Sequence, residues 1–320
     1  MPLIRVFAGL CFLMLQSAIG HAQSCAFTNT GVNFGNVNLA GGGTQSATGT
    51  FTANCTGTPL LSVRICANFN AGSGGVAASG DPRYMLQGAT RLNYNLYRNN
   101  GVGQVWGSHT WAPSPLPPNI TVNLSVLGSG SASQTIFGRI ANGQGSLPAG
   151  TYQSIFSGTN TQIDYGYAAL FNCGASLSSM VQNVSFTVRV TNNSSCTVST
   201  TALDFGNQTD FTAARTATNA ISVTCTGGTL YDIGLSNGSS GGTGPTARLM
   251  TNVAAPQAVT YGVYRNSAHT LPWGNTIGSD TLSATGNGLA QNYTGYGRIP
   301  VQPTPPALTY TDTVVVTVTY

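Results

Sequence analysis

The stretch Thr309-Tyr-Thr-Asp-Thr-Val-Val-Val-Thr-Val-Thr-Tyr320 is β-branched or aromatic at nearly every position. Val314, Val316, Val318 and Tyr320 alternate with Val315, Thr317 and Thr319, which predicts a strand with one apolar face. No turn signal follows it. An open strand edge of this kind is a template for pairing with another chain.

The same design occurs once more upstream, inside an internal repeat. Residues 25–55 and 196–225 each open and close on a cysteine, and they contain Phe34-Gly-Asn36 and Phe205-Gly-Asn207 in equivalent places. The match continues through Tyr94-Asn-Leu-Tyr-Arg-Asn99 against Tyr261-Gly-Val-Tyr-Arg-Asn266, and through Trp106-Gly107 against Trp273-Gly274. It closes with Phe137-Gly-Arg-Ile140 against Tyr296-Gly-Arg-Ile299. Short alternating runs separated by Gly, Asn and Pro, without helical periodicity, predict an all-β fold of two tandem immunoglobulin-like β-sandwich domains. The first domain is assigned to residues 23–191, a polar linker to 192–195 and the second domain to 196–320.

The two copies differ at their ends. In the first, Gly150-Thr-Tyr-Gln-Ser-Ile-Phe-Ser157 stands where the terminal stretch stands in the second. The first copy then continues to Val184-Ser-Phe-Thr-Val-Arg-Val190, a further alternating run with no counterpart after residue 320. The second sandwich is therefore expected to lack its last strand. Its open edge is assigned to Val314, Val316, Val318 and Tyr320, and a strand from another chain is the physical remedy.

Composition narrows the classes of function. Only 6% of residues are charged, every acidic residue is Asp, every basic one is Arg, and the formal net charge is +4. The arginines are scattered singly, so neither a nucleic-acid interface nor an anionic-lipid patch is expected. Residues 1–22 carry Arg5, an apolar run too short to span a bilayer and a small-residue site at Gly20-His-Ala22, which predicts a secretory leader and no membrane insertion. Beyond the leader, the six cysteines of an exported chain predict disulfides. Repeat symmetry assigns Cys25–Cys55 and Cys196–Cys225 and leaves Cys66–Cys173 as an extra bridge in the first domain; cross-domain pairing would break that symmetry. Outside the leader the histidines are His109 and His269. Neither has a carboxylate or cysteine at metal-ligand or triad spacing, so no metal, no cofactor and no catalytic residue is expected.

The order of these motifs in both halves resembles the spore coat protein U domain family, which includes subunits of archaic Csu-type chaperone–usher pili. With little chain expected before Cys25 to donate, the resemblance implies a tip adhesin that receives a strand and gives none. The implied partners are a periplasmic pilus chaperone, an outer-membrane usher and an adjacent pilin donating its N-terminal strand. The implied location is the cell surface at the fibre tip, with attachment and biofilm formation as the role. A spore-coat or pilus-shaft subunit and an exported carbohydrate-binding lectin are the alternatives.

An adhesin needs exposed groups at the pole away from the linker. Residues 159–183 are expected to hang there as a loop, offering Tyr165, Tyr167, Ala168, Ala169, Leu170 and Phe171 to a hydrophobic or glycan ligand. A second candidate is the proline-rich stretch around Trp111 and Leu116, held stiff with little entropy to lose on binding.

Overall fold

The computed structural model describes residues 23–77, 81–101, 103–109, 111, 115–174 and 180–320. The leader assigned to residues 1–22 lies outside them, as do residues 112–114 of the proline-rich stretch. The described chain forms two β-sandwiches, with a single 3-10 turn at Gly158–Thr161.

The first sandwich is built from β1 (Ser24–Asn29), β2 (Val32–Val37), β3 (Gln45–Thr56), β4 (Ser62–Ala67), β5 (Arg83–Gln87) and β6 (Thr90–Tyr97). It continues with β7 (Asn119–Asn123), β8 (Ser129–Ile140), β9 (Gly150–Phe156), β10 (Gln162–Tyr167), β11 (Met180–Asn183) and β12 (Phe186–Asn192). Its large sheet has the order β1-β3-β8-β6-β5-β9-β12-β2, and its small sheet the order β11-β10-β4-β7. The second sandwich comprises β13 (Cys196–Thr200), β14 (Arg215–Cys225), β15 (Leu230–Leu235), β16 (Arg248–Met250), β17 (Val259–Tyr264), β18 (Leu282–Thr285), β19 (Ala290–Ile299) and β20 (Val316–Thr319). Its sheets run β13-β14-β19-β17-β16 and β18-β15-β20.

Gly31 explains how one segment serves two places in the first sandwich. With φ at 70° it kinks the chain between β1 and β2, so β1 pairs with β3 while β2 swings over to lie parallel to β12. A Cβ on Gly49 would sit 1.9 Å from the Gly31 carbonyl oxygen, so the crossing also requires a glycine in β3. β12 then fills the space between β9, to which it is antiparallel, and β2. Its Phe186, Val188 and Val190 are buried, and Phe186 stacks on Phe156 at 4.5 Å and meets Phe69 at 4.7 Å. Each of these side chains contributes about 1.5–3 kcal/mol by leaving water.

The three disulfides are Cys25–Cys55, Cys66–Cys173 and Cys196–Cys225. The first and third join directly opposed residues of equivalent strand pairs, β1–β3 and β13–β14.

The domain junction is tied by hydrogen bonds. Asn38 Nδ2 donates to Ser195 Oγ at 3.0 Å, and the Gly227 amide donates to the Gly145 carbonyl at 3.3 Å. Gly145 packs against Gly288, so the turn after β8 and the second domain meet without intervening side chains.

The terminal stretch differs from the single strand expected of it. Only Val316–Thr319 forms a strand, and it pairs with β15 in the small sheet, as β10 pairs with β4. Residues 310–314 are instead the counterpart of β9, held by the Thr251↔Thr311 bridge where β5 and β9 pair at Leu86↔Gln153. One bent segment thus does the work of two strands, because residues 157–161, including the 3-10 turn, have no full counterpart.

Candidate functional site

The far pole of the first domain is defined by its longest ladder. β3 and β8 pair over 12 residues, from Gln45↔Ile140 beside the domain junction to Thr56↔Ser129. At about 3.3 Å per residue this carries the chain roughly 35 Å away from the second domain. Three loops meet there, at residues 57–61, 124–128 and 167–171.

Their convergence is built from backbone bonds. The Gly57 amide donates to the Gly128 carbonyl at 2.9 Å, the Leu60 amide to the Ser125 carbonyl at 3.3 Å, and the Leu124 amide to the Leu61 carbonyl at 2.9 Å. Tyr167 joins the third loop to the first: its Oη accepts from the Thr58 amide at 2.9 Å and donates to Thr58 Oγ1 at 3.1 Å. A Cβ on Gly57 would lie 2.7 Å from that hydroxyl, and one on Gly128 would lie 2.4 Å from the Gly57 carbonyl. Glycine is therefore required at both positions.

The side chains left over point to solvent. Leu60 is 73% exposed, Leu61 44%, Val126 71%, Leu127 87% and Leu170 83%. None of the three loops contains a charged residue. Leu60 holds φ at 63°, in the left-handed region that a leucine rarely adopts, with its side chain outside the core. Five uncovered aliphatic side chains on three loops without charge, behind which Arg64 donates to the Phe171 carbonyl at 2.7 Å, form the kind of patch that marks an interaction site.

The sequence-predicted adhesive residues divide sharply here. Residues 163–167 do not hang as a loop but form β10, because Asp164 is buried with its carboxylate satisfied by Asn68 Nδ2 at 2.8 Å and Gln162 Nε2 at 2.9 Å. Tyr165 is consequently buried against Phe27, with ring centroids 5.3 Å apart. Tyr167 is engaged in pinning the loops, and Phe171 is buried beside the Cys66–Cys173 bridge. Ala168 is half-buried, while Ala169 and Leu170 are exposed. Trp111 sits over the Arg83 guanidinium at 4.8 Å and is half-buried. Leu116 is exposed but lies next to Gly174, near the Cys66 end of β4 instead of the Ser62 end where the three loops are joined. Of the residues predicted, Ala169 and Leu170 alone lie exposed at the pole. Leu60, Leu61, Val126 and Leu127 escaped the sequence reading, although adjacent aliphatics inside Gly- and Pro-marked turns break the usual polar turn pattern.

His109 and Asp164, distant in sequence, come together, with Nε2 3.4 Å from Oδ2. The neighbouring Ser108 is buried and its hydroxyl donates to Asn68 Oδ1 at 3.3 Å, so it is not presented to a substrate. Among the described residues no group of three or more His, Cys, Asp or Glu could hold a metal ion, and no helix is long and apolar enough to cross a membrane.

A second site lies in the second domain, where β12 would be. Register aligns Arg83 with Arg248, Tyr94 with Tyr261, Tyr152 with Tyr310, Ser154 with Asp312 and Phe156 with Val314. Both arginines are wholly buried and serve the backbone. Arg83 donates to the carbonyls of Phe69, Asn70 and Trp106 at 2.7 Å, and Arg248 to those of Leu235, Ser236, Pro245 and Trp273 at 2.6–3.2 Å. Burial lowers the Arg83 pKa to about 10. Around this shared hub the packing diverges. Val32, Tyr152 and Phe156 are buried, whereas their counterparts Leu203, Tyr310 and Val314 are half-exposed, and residues 201–209 form no strand. Val316 and Val318 are likewise half-buried, and Tyr320 is exposed. No strand of the described chain occupies the position between residues 202–207 and 309–314.

Asp312 replaces Ser154 at the floor of this opening. Burial pushes its carboxyl up, but the Tyr261 hydroxyl at 2.8 Å, together with Ser240, Thr313 and Ser239, more than offsets this and holds it below the ordinary carboxylate value. Burial, and then the bond to Asp312, push the Tyr261 phenol up.

The model of the Spore Coat Protein U domain matches residues 12–159 and 182–317. Protein U of Myxococcus xanthus is 36% identical over 107 residues, a stretch covering 32% of this chain and 59% of that protein. Among solved structures, the chaperone–tip adhesion subunit pre-assembly complex CsuC–CsuE from the archaic chaperone–usher Csu pili of Acinetobacter baumannii aligns with a TM-score of 0.51 at 17% identity, over 93% of this chain and all of that one. The CupB6 tip adhesin of Pseudomonas aeruginosa aligns over 93% of this chain and 95% of its own at 13% identity, with a TM-score of 0.37.

Proposed function

Because the chain belongs to the Spore Coat Protein U domain family, we propose that it is an adhesive subunit at the tip of a chaperone–usher fibre and has no catalytic activity. The observation that carries this reading is the far pole, where three loops without charged residues hold five exposed aliphatic side chains away from the second domain. Such a pole binds apolar surfaces by removing those side chains from water, at roughly 25 cal/mol per Å² buried. Loops already fixed by backbone hydrogen bonds lose little freedom on contact.

The second domain is the attachment point to the fibre. Its open position accepts a strand from the adjacent subunit, and before assembly from a periplasmic chaperone that delivers the chain to an outer-membrane usher. A lectin reading has less support, since Tyr165 is buried, Tyr167 pins the loops and Trp111 covers Arg83 rather than standing free to stack on sugar.

The test is a triple variant, Leu60→Ser, Leu127→Ser and Leu170→Ser, in cells that display the fibre. Attachment to polystyrene should fall by about tenfold or more while the amount of surface fibre stays the same. Undiminished attachment at equal fibre density would remove the pole from this function.

A further inference from the structure

The first domain contains the template for what fills the second. Residues 180–192 run as one segment through both of its sheets: β11 adds to β10 in the small sheet, and β12 then crosses to lie between β9 and β2 in the large one. Transferred by register, β10 becomes β20, with Ile163 matching Val318 and Tyr165 matching Tyr320. Among the described residues, two strand positions of the second domain are therefore unfilled, one on each sheet.

Tyr320 is the residue that singles out the second vacancy. Its counterpart Tyr165 is 3% exposed, and its hydroxyl receives a bond from Gln182 of β11 at 3.1 Å. Tyr320 is 59% exposed and stands on the edge of β20 where a β11 would pass. In the first domain the same segment goes on from this contact to place Phe186, Val188 and Val190 opposite Phe156, Ser154 and Tyr152. Their counterparts Val314, Asp312 and Tyr310 face the large-sheet vacancy.

Resting on the reading that the second domain takes a donated strand, we propose that the donor is a two-part segment that completes both sheets. Its first part pairs antiparallel with β20 and brings a hydrogen-bond donor to the Tyr320 hydroxyl. Its second part crosses to the large sheet, antiparallel to residues 309–314 and parallel to residues 202–207, with three apolar side chains at alternate positions. A seat on both sheets fixes the register of the donor, because a one-residue slip would turn every inward side chain outward.

The segment from the first domain serves as the probe. Residues 180–192 are fused after Tyr320 through a Gly/Ser linker as long as residues 166–179, which gives the strand a high local concentration. A second fusion carries residues 186–192 alone on a linker lengthened to match. Amide hydrogen exchange on the full chain should slow by about tenfold or more over residues 309–314 with either fusion. It should slow to that extent over Val316–Thr319 with the longer fusion alone, and Tyr320→Ser should weaken that second effect. Equal protection of Val316–Thr319 by both fusions would overturn the two-sheet seat and leave single-strand donation standing. No protection of residues 309–314 by either fusion would overturn both.

Discussion

Two tyrosines in equivalent places, Tyr165 and Tyr320, summarise how the two domains differ. One is buried beneath strands of its own domain; the other stands in water. Elsewhere the two copies share a hub: a buried arginine bonded to backbone carbonyls, and a buried tryptophan whose Nε1 donates to a carbonyl of the neighbouring strand at 2.8 Å in one domain and 2.9 Å in the other. What differs is closure. A sandwich can carry its hydrogen-bonded framework without its last strand, but it cannot bury its full apolar face.

The largest effect separating the copies is expected from truncating equivalent core positions. Phe156→Ala removes a fully buried ring that stacks on Phe186 and should cost the first domain about 3–5 kcal/mol. Val314→Ala, at the matching place, should cost the open second domain under about 1.5 kcal/mol, since its smaller side chain is only partly buried. Denaturant unfolding of each variant checks the pair, and equal losses would mean that Val314 is as well covered as Phe156.

Next come the arginines, where the copies should behave alike. Arg83→Met and Arg248→Met each strand several buried carbonyls and should destabilise their domains by about 3 kcal/mol or more. A loss confined to one domain would show that the shared hub is not equally important in both.

A smaller and more local contrast lies at the far pole. Phe171→Ser should lower the melting temperature of the first domain, because the ring is buried beside the Cys66–Cys173 bridge. Its neighbour Leu170→Ser should leave stability within about 0.5 kcal/mol and affect attachment instead. Thermal melts of the two single variants separate core from surface within one loop.

The smallest effect is acid sensitivity. The Asp312 carboxyl titrates below its unfolded value, so its contribution to stability is present above that value and is lost as the pH falls through the lower, folded one. The second domain should therefore weaken on acidification below about pH 4. Asp312→Asn should flatten that part of the profile. The first domain carries Ser154 in this place and should show no such acid sensitivity from it.

Much of this was legible from residue order. The paired cysteines, the Phe-Gly-Asn stretches with their positive-φ glycines and the Trp-Gly pairs mark positions where backbone geometry or core volume leaves little choice, so they recur and announce the repeat. The alternation in Val184-Ser-Phe-Thr-Val-Arg-Val190 likewise identifies a half-buried strand, because a period of two has one physical meaning. Other features were not readable. Strand order places residues 159–183 in a loop, yet Asp164 is held inside the sandwich, its carboxylate satisfied by Asn68, which is distant in sequence. Arg83 and Arg248 carry the residue type least expected in a core, and only the carbonyls that converge on them explain their burial. Leu60 and Val126 lie on turns marked by Gly and Pro, and only the fold shows that these turns meet at one pole. A residue's neighbours in space decided each of these cases.

The difference in closure can be measured directly by native-state hydrogen exchange on the chain alone. The amides of β9, and those of β2 bonded to β12, should exchange only with global unfolding of the first domain, whereas those of residues 309–314 and 202–207 should exchange at least about a hundredfold faster. Equal protection of the two sets would contradict the account, since it would mean that the second sandwich is closed without a partner.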